Sequence, residues 1–302
     1  MRIKTIGHQL LFNTVPLETY DANDRHLGTA TSFVLSHRLK SGKDELFLVS
    51  NKHVVSQAWR AVCWFTTIKR GKPDIGNPFF VNWSDGFAAA WIGHPAPTVD
   101  VAVAPLSWAL ELIGRGGSKA FYMKLTTTMI PSTDEIADFD VMEPIAFVGY
   151  PNAMWDKKHY APIFRRGTLA TPFQLDYSGA PGFLIDASVF PGSSGSPVFL
   201  FRERYTRQGV KAVDFKLLGV LAGVYCQPDV GELQVAPIPS SATSQVRVRH
   251  MLDLGVVFRS TTILETIAEF EKVIAPPVAS RGSASGRQQR RRVRAARLPT
   301  NP

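Results

Sequence analysis

The sequence is short of cysteine, with Cys63 and Cys226 the only two among 302 residues. One disulfide at most can form, which excludes the dense disulfide framework of small secreted domains. Long apolar runs are missing too. Nowhere do about 18 apolar residues follow one another, the length a membrane-crossing helix needs, so no membrane span is expected. The opening stretch MRIKTIGHQLLFNTVPLETYD lacks the apolar segment of about 7–15 residues and the small-residue cleavage site of a signal peptide. A reducing, cytoplasmic setting is therefore the expectation. His8, His26, His37, His94, His159 and His250 show neither HExxH nor Cys-His ligand spacing, so no metal site and no cofactor are expected.

Acidic residues are absent from Arg281 onward, where seven arginines lie. Removing those seven from the net charge of +9 leaves about +2 for the rest of the chain. The basic character thus belongs to the tail, not to the body. Residues 276–302 are Ser, Gly, Arg and Pro with little to bury, the composition of a disordered segment. Within 281–297 the stretch QQRRRVRAAR offers a weak electrostatic contact to nucleic acid or an acidic surface, or is simply a solvated tail. Composition leaves both open.

What fills the body is short strand-like segments with turn residues between them. They are Thr31–Leu35, Glu45–Val49, Ala61–Thr66, Val101–Leu106, Pro144–Val148, Pro197–Phe201, Leu217–Tyr225 and Leu254–Arg259. Many strands without intervening helices predict an all-β sandwich or barrel, not βαβ units. One helix is predicted near the end: Thr262 and Glu265 have capping-box spacing, and Ile263, Ile267, Phe270 and Ile274 form one apolar stripe. Pro276 and Pro277 stop it.

Three segments carry chemistry. Phe190–Pro197 reads FPGSSGSP and runs straight into the apolar strand Val198–Phe201. Acyl transfer needs a hydroxyl on a tight turn with backbone N–H groups aimed at a developing oxyanion. Gly192 permits the required backbone shape, Ser194 supplies a hydroxyl and an N–H, and Gly195 leaves room behind it. The second segment takes the apolar strand Leu46–Val49 into Ser50-Asn51-Lys52-His53. In the third, Asp100 opens the apolar stretch Val101–Leu106. Each alone is an ordinary turn, a structural histidine or a strand-end acid. Together they stand in the order His, Asp, Ser, with separations of 47 and 94 residues. Ser193 and Ser196 remain rival hydroxyls, and Ser196 breaks the G-x-S-x-G elbow of α/β-hydrolases.

These motifs resemble the trypsin/chymotrypsin-like serine peptidase superfamily, in particular the bacterial HtrA/Deg-like and related trypsin-like domains, here without a PDZ domain. The resemblance covers about residues 25–260. It rests also on Gly28–Leu35, Phe147–Pro151, Arg166–Leu169, Phe183–Ser188 and Gly219–Tyr225, which stand in family order. It implies two packed six-stranded antiparallel β-barrels, residues 1–130 and 131–260, followed by a C-terminal α-helix over 261–275. The implied activity is that of a serine endopeptidase acting on protein or peptide substrates.

His53, Asp100 and Ser194 would be its catalytic triad, with the N–H groups of Gly192 and Ser194 as the oxyanion hole. Ser188 would lie at the base of the S1 pocket and Ala222, Gly223 and Val224 along its wall. A neutral base argues against Lys or Arg and for medium apolar or aromatic side chains. Arg165, Arg166, Lys157 and Lys158 either favour acidic groups elsewhere in the substrate or form a solvated loop. The chain departs from the trypsin pattern at Ser193, where zymogens carry Asp, so no proteolytic zymogen switch is expected. Val54 stands where many secreted relatives have Cys. Two other readings stay open: a catalytically silent binding or scaffold protein of the same fold, and a nucleic-acid-associated protein working through its tail.

Overall fold

The computed structural model describes residues 3–84, 86–205, 209, 211–232 and 245–274; the predicted disordered segment 276–302 lies outside them. The first half contains β1 (Thr14–Tyr20), β2 (His26–Arg38), β3 (Asp44–Ser50), β4 (Arg60–Lys69), β5 (Lys72–Trp83), β6 (Ile92–Gly93), β7 (Ala102–Pro105) and β8 (Leu125–Thr126). The second contains β9 (Pro144–Gly149), β10 (Ile163–Leu169), β11 (Gly182–Asp186), β12 (Pro197–Tyr205), β13 (Lys211–Glu232) and β14 (Gln245–Arg259). Short helices α1 (Ile6–Leu10), α2 (Lys52–Val55), α3 (Phe87–Ala90), α4 (Ser107–Arg115) and α5 (Thr133–Ala137) join them, and α6 (Thr261–Ile274) follows the last strand.

The second half closes into a six-stranded antiparallel barrel in the order β10-β11-β14-β13-β12-β9. The first half is one eight-stranded sheet running β5-β4-β1-β2-β3-β7-β6, with β8 paired in parallel to β2. Barrel, second sheet and C-terminal helix make the fold chymotrypsin-like.

Apolar side chains fill each half and the space between them. Val34, Leu48, Phe65 and Trp83 belong to the first core, and Phe147, Phe183, Leu200 and Val257 to the barrel's core. A third cluster joins the halves: Phe47 and Val49 of β3 meet Phe199 and Val220 of the barrel and Ile263, Ile267 and Phe270 of α6. β3 is thus covered on both faces, which is why LFLV is a continuous apolar run and not an alternating one. The interface layer fixes the two halves against one another and so fixes the cleft between them.

Several elements differ from the sequence expectation. Thr262 does not cap α6: it is fully buried inside the helix, and its hydroxyl donates to Arg259 O at 2.7 Å. Glu265 instead reaches His94, so no capping box forms. Ile274, the last of the predicted stripe, is exposed. The strand expected over residues 101–106 is confined to β7, and α4 begins at Ser107 with Ala109 and Ile113 buried at helical spacing. β5 carries Pro73, Pro78 and Gly76, a composition that conceals a strand from pattern reading. It lies at the sheet edge, where a missing N–H is tolerated. Pro16 in β1 is accommodated likewise, because pairing with β4 starts only at Glu18.

Candidate active site

His53 sits in the single turn of α2, directly after β3, and Asp100 two residues before β7, the strand that pairs with β3. That pairing brings residues 47 apart in sequence into contact. Asp100 Oδ2 lies 2.5 Å from His53 Nδ1, and Asp100 Oδ1 accepts the His53 backbone N–H at 2.9 Å. Asn51 Nδ2 donates to Asp100 O at 2.6 Å, fixing the acid's backbone as well. An ionised carboxylate only accepts, so Nδ1 carries the imidazole proton and Nε2 is the basic nitrogen of the neutral ring. The side chains are 50% and 25% exposed, so the pair opens to solvent on one side.

Ser194 arrives from the barrel on the turn before β12. Gly195 has φ +83°, and a Cβ there would stand 1.9 Å from Thr31 O; Gly192 has φ +90°, and a Cβ would stand 2.4 Å from Tyr150 O. Both positions therefore exclude side chains on conformational and steric grounds. Thr31 of β2 anchors the turn: its N–H donates to Ser194 O at 2.8 Å and its hydroxyl to Gly192 O at 3.0 Å. Ser50 Oγ in turn donates to Thr31 O at 2.8 Å, so the serine turn and the strand leading to His53 share one hub. Tyr150 N donates to the Thr31 hydroxyl, while burial pushes the Tyr150 phenol well above its ordinary pKa.

The three serines of the turn are not equivalent. Ser193 and Ser196 are 1% and 0% exposed, and neither hydroxyl has a hydrogen-bond partner among the described residues. Ser194 is half-buried and lines a cavity of about 470 Å³ together with His53, Gly192 and Pro191. Its Oγ donates to Ala222 O at 3.3 Å, and no hydrogen bond joins it to His53 among the described residues. The N–H groups of Gly192 and Ser194 have no backbone acceptor among the described residues.

The cavity extends toward β2 and residues 152–153, with Thr19, Leu27 and Asn152 on its walls, none of which was marked by the sequence motifs. Ser188, Ala222, Gly223 and Val224 do not line it. Ser188 is exposed beyond β11, and residues 222–224 are half-buried on β13, with only the Ala222 carbonyl brought to Ser194. Thr31 and Asn51 were legible only as a strand residue and a histidine neighbour; their roles depend on contacts across the chain. Cys63 is buried and Cys226 exposed, both free. No group of three or more His, Cys, Asp or Glu that could hold a metal ion occurs among the described residues. No helix among them is long and apolar enough to cross a membrane.

No protein-family model and no curated protein matches the chain. Among solved structures it is similar to the active form of the Rv3671c protease from M. tuberculosis, at 16% identity over 85% of this chain and 80% of that one, with a TM-score of 0.43. It is similar to HL collagenase at 14% identity, 87% and 95% coverage and a TM-score of 0.47. A scabies mite inactivated protease paralogue gives 14%, 87% and 96%, and 0.39.

Proposed function

We propose that the protein is a serine endopeptidase that hydrolyses protein or peptide substrates through His53, Asp100 and Ser194. The observation that carries this reading is the two-point hold of Asp100 on His53, beside a cleft shared with the one accessible hydroxyl of the serine turn. His53 Nε2 takes the Ser194 proton as Oγ attacks the scissile carbonyl, then returns it to the leaving amine. Asp100 keeps Nδ1 protonated and stabilises the imidazolium that forms. The N–H groups of Gly192 and Ser194, without a backbone acceptor among the described residues, receive the oxyanion of the tetrahedral intermediate. Water then hydrolyses the acyl-enzyme by the same steps in reverse roles.

In this reading residues 1–130 supply His53 and Asp100, residues 131–260 supply Ser194, and the substrate lies in the cleft walled by Thr19, Leu27 and Asn152. Two free thiols favour a reducing, cytoplasmic setting.

One observation favours the second reading, a fold retained without turnover: Ser194 Oγ is bonded to Ala222 O and not to His53. Such bonds are often loose in unliganded enzymes and form when substrate arrives, so the peptidase reading stands first. A fluorophosphonate probe separates the two. Labelling of the wild type that disappears in Ser194→Ala and His53→Ala is the expected result. Labelling that persists in Ser194→Ala refutes the nucleophile, and none in the wild type favours the scaffold.

A further inference from the structure

Asp100 ends a loop that no regular hydrogen-bond ladder holds between β6 and β7, yet the loop is fastened at several points. His94 N donates to Val101 O at 2.8 Å, closing its base. His94 is buried; its Nδ1 accepts Ala96 N–H at 3.1 Å and its Nε2 faces Glu265 Oε2 of α6 at 2.7 Å. The remaining fastening comes from Lys52, the residue before His53. Its ammonium donates to His94 O at 3.3 Å, Ala96 O at 2.9 Å and Pro97 O at 3.3 Å. An ammonium has three protons, and all three go to neutral carbonyls of this one loop.

That is an unusual use of a lysine, whose default is a solvated surface charge. The path of the stem is also cleared for it. A Cβ at residue 93 would lie 2.8 Å from Lys52 Cδ and 3.1 Å from Cγ, so Gly93 leaves the passage open. With Asn51 holding Asp100 O from the other side of Lys52, two consecutive residues of the His53 segment grip the Asp100 segment.

We infer that Lys52 is a positioning residue: it ties the Asp100 loop to the His53 turn and holds the carboxylate at hydrogen-bonding distance from the imidazole. The inference rests on the peptidase reading only for its kinetic consequence. Lys52 touches no reacting atom and acts by limiting where Asp100 can stand. Displacing a reacting group by about 1 Å can cost about 100-fold in rate, which bounds the effect of releasing the loop.

The test compares the wild type with Lys52→Met, which keeps the stem and removes the donors, with Lys52→Arg, and with Gly93→Ala, which obstructs the stem and leaves every donor in place. Two readouts are used on the full chain: the saturation kinetics of fluorophosphonate labelling, and the NMR signal of the His53 Nδ1 proton. Lys52→Met and Gly93→Ala are expected to lower the limiting labelling rate by about 10- to 100-fold at an unchanged half-saturating probe concentration, and to broaden or shift the Nδ1 proton signal. Lys52→Arg recovers most of both. Leu200→Ala, which loosens the barrel's own core and touches none of the cluster that holds the loop, leaves the Nδ1 signal in place.

A wild-type rate and signal in Lys52→Met would overturn the inference. So would equal loss of the signal in Leu200→Ala, which would mean general loosening. If the wild type shows the signal and its dependence on Lys52 but never labels, the peptidase reading fails and the positioning role stands.

Discussion

Asp100 holds His53 at two points, with Oδ1 on the backbone N–H and Oδ2 on Nδ1. A carboxylate can accept at both; a carboxamide cannot without placing its NH2 against one of them. Asp100→Asn is therefore expected to invert the imidazole tautomer, so that a protonated nitrogen faces Ser194, and to lower turnover by about 10⁴-fold. Peptide hydrolysis at neutral pH checks it, with near-UV circular dichroism expected to stay unchanged.

Ser193→Ala and Ser196→Ala test the assignment of the hydroxyl from the opposite direction. Each removes a buried hydroxyl that has no partner among the described residues, so each is expected to be neutral or stabilising by up to roughly 1 kcal/mol. Both variants should still take up one probe per chain in the labelling assay. Loss of labelling in either, with the fold intact, would undo the choice of Ser194.

Gly195→Ala should fail structurally. The new methyl would meet Thr31 O and Ser50 Oγ while the backbone keeps φ +83°. A loss of roughly 2 kcal/mol or more is expected, read as a lower urea midpoint. The equivalent change at Gly71, where a Cβ meets nothing within 4 Å among the described residues, should cost less.

The layer between the two halves sets stability as well as the cleft. Ile267 of α6 is fully buried in it, so Ile267→Ala is expected to cost about 2–5 kcal/mol. Thermal or urea unfolding checks the figure, and a single shared transition for both halves is expected.

Cys63 makes stability depend on alkaline pH. Burial pushes its thiol from 9.0 up to about 12. The unfolded chain therefore loses the proton at lower pH than the folded one. The contribution of the buried neutral thiol is fully present below pH 9 and is lost as pH rises from about 9 toward 12, at no more than about 1.4 kcal/mol per pH unit. Cys63→Ala should flatten this part of the urea-midpoint profile. A disulfide-exchange reagent should modify exposed Cys226 quickly and Cys63 only on unfolding.

Part of this was legible in the residues. Strands with clear apolar patterns, such as β3, β9 and β12, stand where the sequence placed them, while β14 begins at Gln245, ahead of the expected Leu254. β1 and β5 were concealed by prolines that an edge, or a stretch with one free side, can accept. The Thr262–Glu265 spacing misled because Glu265 had a better partner in His94, 171 residues away.

By itself the sequence determined the all-β character, the order His53, Asp100, Ser194 and the small-residue turn, because local patterning and backbone permissiveness are properties of neighbouring residues. Only the tertiary structure decided which of three serines faces the cleft, that the N–H and hydroxyl of Thr31 hold the turn, and where the ammonium of Lys52 ends. Those depend on burial and on contacts between segments far apart in the chain, and no spacing along one segment encodes them.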